Sequence, residues 1–156
     1  MARRDFYRDP EAPKANSVVP SVVAAVRNAA GELLMIHRTD NDKWALPGGG
    51  HDIGESIAQT VVREVFEETG IVVEVTGIVG VYTDPCHVMA YDDGEVRQQF
   101  SICFTAEPVG GTPTPSSESR EVLWVSPENL GALDIHPTMR LRIEHALAGL
   151  RQPHIG

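Results

Sequence analysis

The chain has no apolar run approaching the length of a membrane span, although 42% of its residues are hydrophobic. A helical membrane protein is therefore excluded. It also lacks a cationic excess: 13 Lys and Arg stand against 22 Asp and Glu, a net charge of −9. Broad nucleic-acid binding needs a basic footprint, so neither nucleic acid nor a membrane is expected as a partner. Cysteine is scarce, with only Cys86 and Cys103, too few for a disulfide framework. The pair Cys86-His87 has no matching second pair, so zinc is not expected. Arg3 and Arg4 are not followed by the apolar stretch of a secretory signal, and the expected location is cytoplasmic. No repeat or low-complexity tract interrupts the chain. The expected organisation is a polar N-terminal arm over residues 1–16 and one domain over residues 17–156.

What the chain does have is concentrated in residues 49–71, GGHDIGESIAQTVVREVFEETGI. Ser56 with Gln59 forms a capping box, Gly54 suits the turn before it, and Gly70 suits a left-handed C-cap. A helix follows between them. At about 100° per residue, Ile57, Ala58, Val61, Val62, Val65 and Phe66 fill one half of its wheel, expected to pack. Arg63, Glu64 and Glu67 fall on the opposite arc, with Glu68 at its edge. Glu64, Glu67 and Glu68 repel one another at about 0.2–0.5 kcal/mol per pair. Each also opposes the negative end of the helix dipole by about 0.3–1 kcal/mol. A cluster so costly for folding points to a bound cation, and oxygen ligands suit a hard divalent ion such as Mg²⁺ or Mn²⁺.

Elsewhere the pattern is mixed. Residues 17–27 read as a buried strand entered or interrupted at Pro20, residues 28–31 as a turn, and residues 32–38 as the returning strand. Residues 44–46 form a short strand leading into the glycine loop 47–50. Residues 72–83 and 96–107 read as long strands, the first with a bend or bulge at Gly77 and Gly80. Residues 84–94 and 109–120 read as loops, and residues 121–125 as a strand. Ser126-Pro127 opens a short helix, with Ser126 as N-cap, and residues 137–150 form the last helix. Without regular βαβ alternation, the fold class is α/β with a mixed sheet flanked by helices.

Gly49, five residues, Glu55, seven residues, Arg63-Glu64-Val65, one residue, Glu67-Glu68, one residue and Gly70-Ile71 resemble the Nudix box position for position. The resemblance to the Nudix hydrolase (MutT/Nudix) family implies an α/β/α sandwich with the box as loop–helix–loop. It implies a hydrolase of acid anhydrides that cleaves the pyrophosphate of a nucleoside diphosphate linked to another group. Glu64, Glu67 and Glu68 are then the expected metal ligands, joined by the backbone carbonyl of Gly48 or Gly49, with Mg²⁺ as cofactor and Mn²⁺ a substitute. Arg63 orients a neighbouring glutamate. Glu55 complements the helix N-terminus or takes part directly. In this family the catalytic base often lies on a later loop, where Glu118 and Glu121 are the acidic candidates. Pro85, fifteen residues after Gly70, resembles the ADP-ribose-hydrolysing branch. Trp44 offers a stacking surface, and Arg38 and Arg97 offer charge to phosphate. ADP-ribose or another ADP-sugar is therefore the expected substrate, with a homodimer admitted. The alternatives are a nucleoside triphosphate pyrophosphatase and a silent nucleotide-binding sensor. The intact glutamates, and the lack of a basic DNA-binding segment, favour the enzyme.

Overall fold

The two most apolar segments of the chain, around residues 22–26 and 33–36, lie at the centre of the molecule with every residue buried. The computed structural model describes residues 3–156. In chain order the elements begin with β1 (Arg3–Tyr7), β2 (Ser17–Val18), β3 (Ser21–Val26), β4 (Leu33–Arg38), β5 (Trp44–Ala45) and β6 (Gly48–Gly50). Helix α1 (Ile57–Thr69) leads into β7 (Ile71–Tyr82), β8 (His87–Tyr91), β9 (Val96–Gln98), β10 (Ser101–Gly111) and β11 (Ser119–Val125). A 3-10 helix (Pro127–Ala132), α2 (Pro137–Ala148) and β12 (His154–Ile155) complete the chain.

Three sheets result. Their strand orders are β12-β7-β10-β3-β6, β11-β4-β5 and β1-β8-β9-β2. The five-stranded sheet is mixed, because β3 runs parallel to β10 and antiparallel to β6. Side chains alternate across β3 and β4. Val22, Ala24, Val26, Leu34 and Ile36 join Val61 and Val65 in the core under α1. Val23, Ala25, Leu33 and Met35 join Ile143 in a second core under α2. A strand covered on both faces needs no polar alternation, which is why both segments read as unbroken apolar runs. The architecture is the α/β/α sandwich. No helix among the described residues is long and apolar enough to cross a membrane.

Several local expectations change. Arg3–Tyr7, expected as part of an arm, is a strand paired with β8, which itself lies inside the expected loop 84–94. The strand at Arg3–Tyr7 exists through a partner about eighty residues away, while β8 also pairs locally with β9. The glycine segment is also a strand, β6, paired with Val22 and Val23. The expected loop 109–120 is shortened from both ends by β10 and β11. The strand expected over residues 96–107 breaks after Gln98. The bulges in β7 do fall at its glycines: pairing with β10 slips where Gly80 and Gly77 face Cys103 and Thr105. Ser126 makes no side-chain cap bond, and the helix behind it is 3-10.

Candidate active site

Local sequence sets the ends of α1. The Gln59 N–H donates to Ser56 Oγ (3.2 Å), and the Ser56 N–H donates to Gln59 Oε1 (2.8 Å). Gly70, at φ 74°, donates its N–H to the Phe66 carbonyl and closes the helix. The helix is rotated from the expected amphipathic setting. Val61 and Val65 are buried together with Thr60, Glu68 and Thr69, whereas Val62 is partly exposed and Phe66 is 53% exposed. The acidic edge thus faces the protein. The cause is β6, where Gly49 has no side chain to hold α1 away. A Cβ on Gly49 would collide with the Glu64 carboxylate, and one on Gly48 with the Val22 carbonyl oxygen.

Glu68 is only 3% exposed, and its Oε1 accepts the Gly48 N–H at 2.7 Å. Burial pushes its carboxyl up to about 8, against the pull of that N–H and of Arg38. Burial also raises Glu64, which Arg63 opposes. Both carboxyls are raised further by Glu118. Glu118 is brought there by the turn at residues 116–119. Ser116 Oγ accepts the Glu118 N–H (3.2 Å), and Ser119 Oγ donates to the backbone carbonyl of Glu68 (2.6 Å). That bond also satisfies a carbonyl orphaned at the helix end. Glu67 is different, being 56% exposed at its side chain.

Arg63 ties the cluster together. It donates to both oxygens of Glu55 (2.6 and 2.9 Å), to Glu64 (2.8 Å), to Glu67 (3.3 Å) and to the Gly50 carbonyl (3.1 Å). The Arg63 contact holds the Glu55 carboxyl at about 2. Arg63 therefore offsets part of the glutamate repulsion and positions carboxylates.

Glu64, Glu68, Glu118 and the three glycines of β6 border a cleft of about 280 Å³, whereas Arg63, Glu55 and Glu67 stand outside its lining. Of the residues expected at the site, Gly48, Gly49, Glu64, Glu68, Glu118, Arg38, Trp44 and Arg97 line it. Glu121 does not. It is exposed on β11, with Oε2 3.7 Å from His37 Nδ1. Pro85 also lies outside, in the turn before β8, where the Cys86 N–H bonds Asp84 Oδ1. Trp44 stacks on His37 at 4.8 Å.

Charge in the cleft is nearly all paired. Arg38 bonds Asp40 through two nitrogens (2.9 and 2.7 Å). Arg97 grips Glu95 (2.6 and 3.0 Å) and stacks on Tyr91. Lys43 pairs with Asp134 (3.1 Å) and Arg3 with Asp5 (3.2 Å). These lining cations are thus committed to carboxylates before a phosphate arrives.

The acidic end fits a divalent ion by its donors: hard carboxylate oxygens beside side-chain-free backbone. Among the described residues no three acidic, His or Cys groups stand in a closed coordination shell. Glu64 is turned toward Arg63, and Glu68 toward the Gly48 N–H.

The cleft is also lined by residues that no sequence pattern singled out: Asp5, Ser101, His136 and Arg142, together with His87, whose only sequence signal was its place beside Cys86. Burial acts to raise the Asp5 carboxyl, but His87 and Arg3 outweigh it and hold it at about 2. No local pattern marks these positions, since β1–β8 pairing and α2 docking bring them together.

A family model described as NUDIX domain matches residues 18–146. A MutT-like protein of Streptomyces ambofaciens is 36% identical over 135 residues, covering 86% of this chain and 80% of the relative. Nucleoside triphosphatase NudI of Enterobacter sp. strain 638 is 32% identical, covering 64% of this chain and 72% of the relative. An ADP-ribose pyrophosphatase of Methanocaldococcus jannaschii is also 32% identical, covering 65% and 59%. The solved MutT protein of Methanosarcina mazei Go1 superposes with a TM-score of 0.66 at 29% identity, covering 87% of this chain and 98% of that one.

Proposed function

We propose, from the premise that this chain belongs to the Nudix family and is a pyrophosphohydrolase acting on acid anhydrides, that it cleaves nucleoside triphosphates to a nucleoside monophosphate and pyrophosphate with a divalent cation. The observation that carries the cation requirement is the pairing of charge in the cleft. Arg3, Arg38, Lys43 and Arg97 already hold carboxylates, and the chain carries −9 overall. Of the lining cations only Arg142 pairs with no carboxylate among the described residues, and one guanidinium does not neutralise a polyphosphate, so the rest falls to an added cation. Glu64, Glu67 and Glu68, with the Gly48 backbone, would hold it. The bound ion supplies charge neutralisation and a water of lowered pKa.

The chain's own residues do the rest. Arg63 fixes Glu55 and Glu64, so those carboxylates do not wander. Glu118, held by the turn over the end of α1, is the carboxylate best placed to accept a proton from an attacking water. Arg38, coupled to both Glu68 and Asp40, keeps positive potential beside the buried carboxylate.

The triphosphate is favoured over ADP-ribose because Pro85, the residue behind the ADP-ribose expectation, does not line the cleft. The nucleoside triphosphatase among the relatives supports the same reading. The ADP-ribose pyrophosphatase relative supports the second reading, a sugar-linked diphosphate. Product identification decides. With Mg²⁺, nucleoside monophosphate plus pyrophosphate from a triphosphate is expected at a kcat/KM above that for ADP-ribose. AMP plus ribose phosphate formed tenfold faster would overturn the choice, and full turnover in excess EDTA would overturn the cation requirement.

A further inference from the structure

His51 and Thr60 stand at positions that the box spacing leaves open in residue type, yet both reach toward the Glu55–Arg63 pair. His51 extends β6, its N–H donating to the Pro20 carbonyl at 2.9 Å. Thr60 is fully buried in α1. Its Oγ1 has three polar neighbours: His51 Nδ1 at 2.6 Å, Glu55 Oε1 at 3.1 Å and the Ser56 carbonyl at 3.2 Å. A hydroxyl carries one proton. Were His51 Nδ1 to take it, Thr60 Oγ1 would face the Glu55 lone pairs with no proton between them. His51 therefore donates from Nδ1, and the hydroxyl proton remains for an acceptor. The Ser56 carbonyl already accepts the Thr60 N–H at 3.0 Å, so the ionised carboxylate is the stronger claimant. A helical Thr often bonds back to the preceding turn, but such a bond needs neither His51 nor Glu55.

This order completes the shell of Glu55. Its Oε1 accepts the Asp52 N–H (3.2 Å), the Thr60 O–H (3.1 Å) and Arg63 Nη2 (2.9 Å), and its Oε2 accepts Arg63 Nε (2.6 Å). A carboxylate offers about four lone-pair sites, so none is left for an ion. Glu55 also stands off the cleft lining. It is thus an anchor for Arg63. With Nε and Nη2 drawn to Glu55, Arg63 has only Nη1 for Glu64 (2.8 Å) and Glu67 (3.3 Å). That division matters for a cation. An arginine that closes on a carboxylate through two nitrogens makes a stronger pair, and it competes with a metal ion for the same oxygens.

We propose that His51 and Thr60 are positioning residues for the cation site: the hydrogen bonds from His51 Nδ1–H to Thr60 Oγ1, and from Thr60 O–H to Glu55 Oε1, fix Glu55 against Arg63 and so limit the hold of Arg63 on Glu64. The proposal rests on the reading of Glu64 and Glu68 as cation ligands. Neither His51 nor Thr60 lines the cleft, so both act only through Glu55 and Arg63. Without the Thr60 hydroxyl, Glu55 loses a donor and His51 Nδ1–H loses its acceptor. The guanidinium is then released to turn and pair with Glu64 through a second nitrogen, in competition with the ion.

The test titrates Mn²⁺ alone, with free ion counted by electron paramagnetic resonance, into wild type, Thr60→Val, Thr60→Ser and His51→Ala, with melting curves in EDTA alongside. Val keeps the shape of Thr without the hydroxyl, and Ser keeps the hydroxyl with one methyl fewer. Groups that orient metal ligands are worth about 10–100-fold in affinity, so Thr60→Val and His51→Ala are expected to raise the Mn²⁺ Kd by at least about tenfold. Thr60→Ser is expected to bind like wild type even where the lost methyl lowers its Tm. A Thr60 that only packs would leave the Kd of Thr60→Val at the wild-type value, and that result overturns the proposal, as would an equal loss in Thr60→Ser. Should Thr60→Val fail to fold, His51→Ala, outside the core, decides alone. If wild type binds no Mn²⁺, the cation reading fails separately. Nitrogen-15 NMR of the metal-free protein then decides the hydrogen-bond order. Slow exchange of the Arg63 Nε–H in wild type and Thr60→Ser, with faster exchange in Thr60→Val, supports it. A His51 ring proton on Nε2 at alkaline pH, or an Arg63 Nε–H indifferent to both variants, overturns it.

Discussion

Replacing Glu68 by Gln is expected to stabilise the metal-free protein in a pH-dependent way. Gln keeps the length of the side chain and an oxygen for the Gly48 N–H, so the bond at 2.7 Å has a successor. What changes is ionisation. The Glu68 carboxyl titrates at about 8 in the folded chain against an ordinary 4.5. Between those values the native state holds a proton that the unfolded state has released, so wild-type stability falls as pH rises through that window. At pH 4 both states are protonated and the variant gains almost nothing. At pH 7 the gap of about 2.5 units corresponds to about 3 kcal/mol at 1.36 kcal/mol per unit. Relaxation around the ionised group lowers this to on the order of 1–3 kcal/mol, or roughly 2–12 °C in Tm for a domain of this size. Above pH 8 the difference levels off. Melting in EDTA at pH 4, 5.5, 7 and 8.5 gives the profile directly. A saturating divalent ion should shrink or reverse the order, because wild type then gains binding energy that the variant lacks. A Glu68→Gln protein less stable than wild type at pH 7 in EDTA, or a difference flat with pH, would refute the reasoning.

Other outcomes follow from the same geometry. The Glu68→Gln enzyme is expected to lose at least about 100-fold in kcat, the scale for losing a major electrostatic contributor, as read in Mg²⁺-saturated turnover. Glu118→Gln should lower kcat by at least about 100-fold, the low end for general acid–base loss, while Glu121→Gln, exposed beside His37, should stay near wild type in the same assay. Gly49→Ala places a methyl in the Glu64 carboxylate. It should cost about 1–3 kcal/mol by overpacking and reduce turnover together with apparent Mg²⁺ affinity, read by melting and a metal titration. Glu67→Gln relieves the helix dipole (about 0.3–1 kcal/mol) and Glu64 repulsion (about 0.2–0.5 kcal/mol), but gives up the Arg63 pair at 3.3 Å. Its expected gain in EDTA is therefore only about 0–1 kcal/mol, and a loss above that range would mean a structural partner beyond Arg63.

Much is written locally in residues 49–71. A capping box, a C-cap glycine and three spaced glutamates depend on neighbours within a turn or two, so the helix, its ends and its acidic cluster are legible in the amino-acid order alone. The two central strands are legible for a similar reason: burial on both faces leaves an unbroken apolar run. What the helix faces is not legible. The wheel puts Phe66 inside and Glu68 at the rim, yet contact with the glycine strand β6 places Glu68 inside and Phe66 in solvent. Hydropathy assigns faces by transfer cost, whereas here the side chain missing at Gly49 sets which face fits. Sequence offers Glu118 and Glu121 alike, and only the hydrogen bonds that hold residues 116–119 against α1 put Glu118 on the cleft and leave Glu121 off it. Asp5, His87, Ser101 and Arg142 are wholly a matter of tertiary structure. They come from four distant elements, and pairing over that separation leaves no periodic trace in the chain, because the contact that gives each residue its meaning is made by another segment.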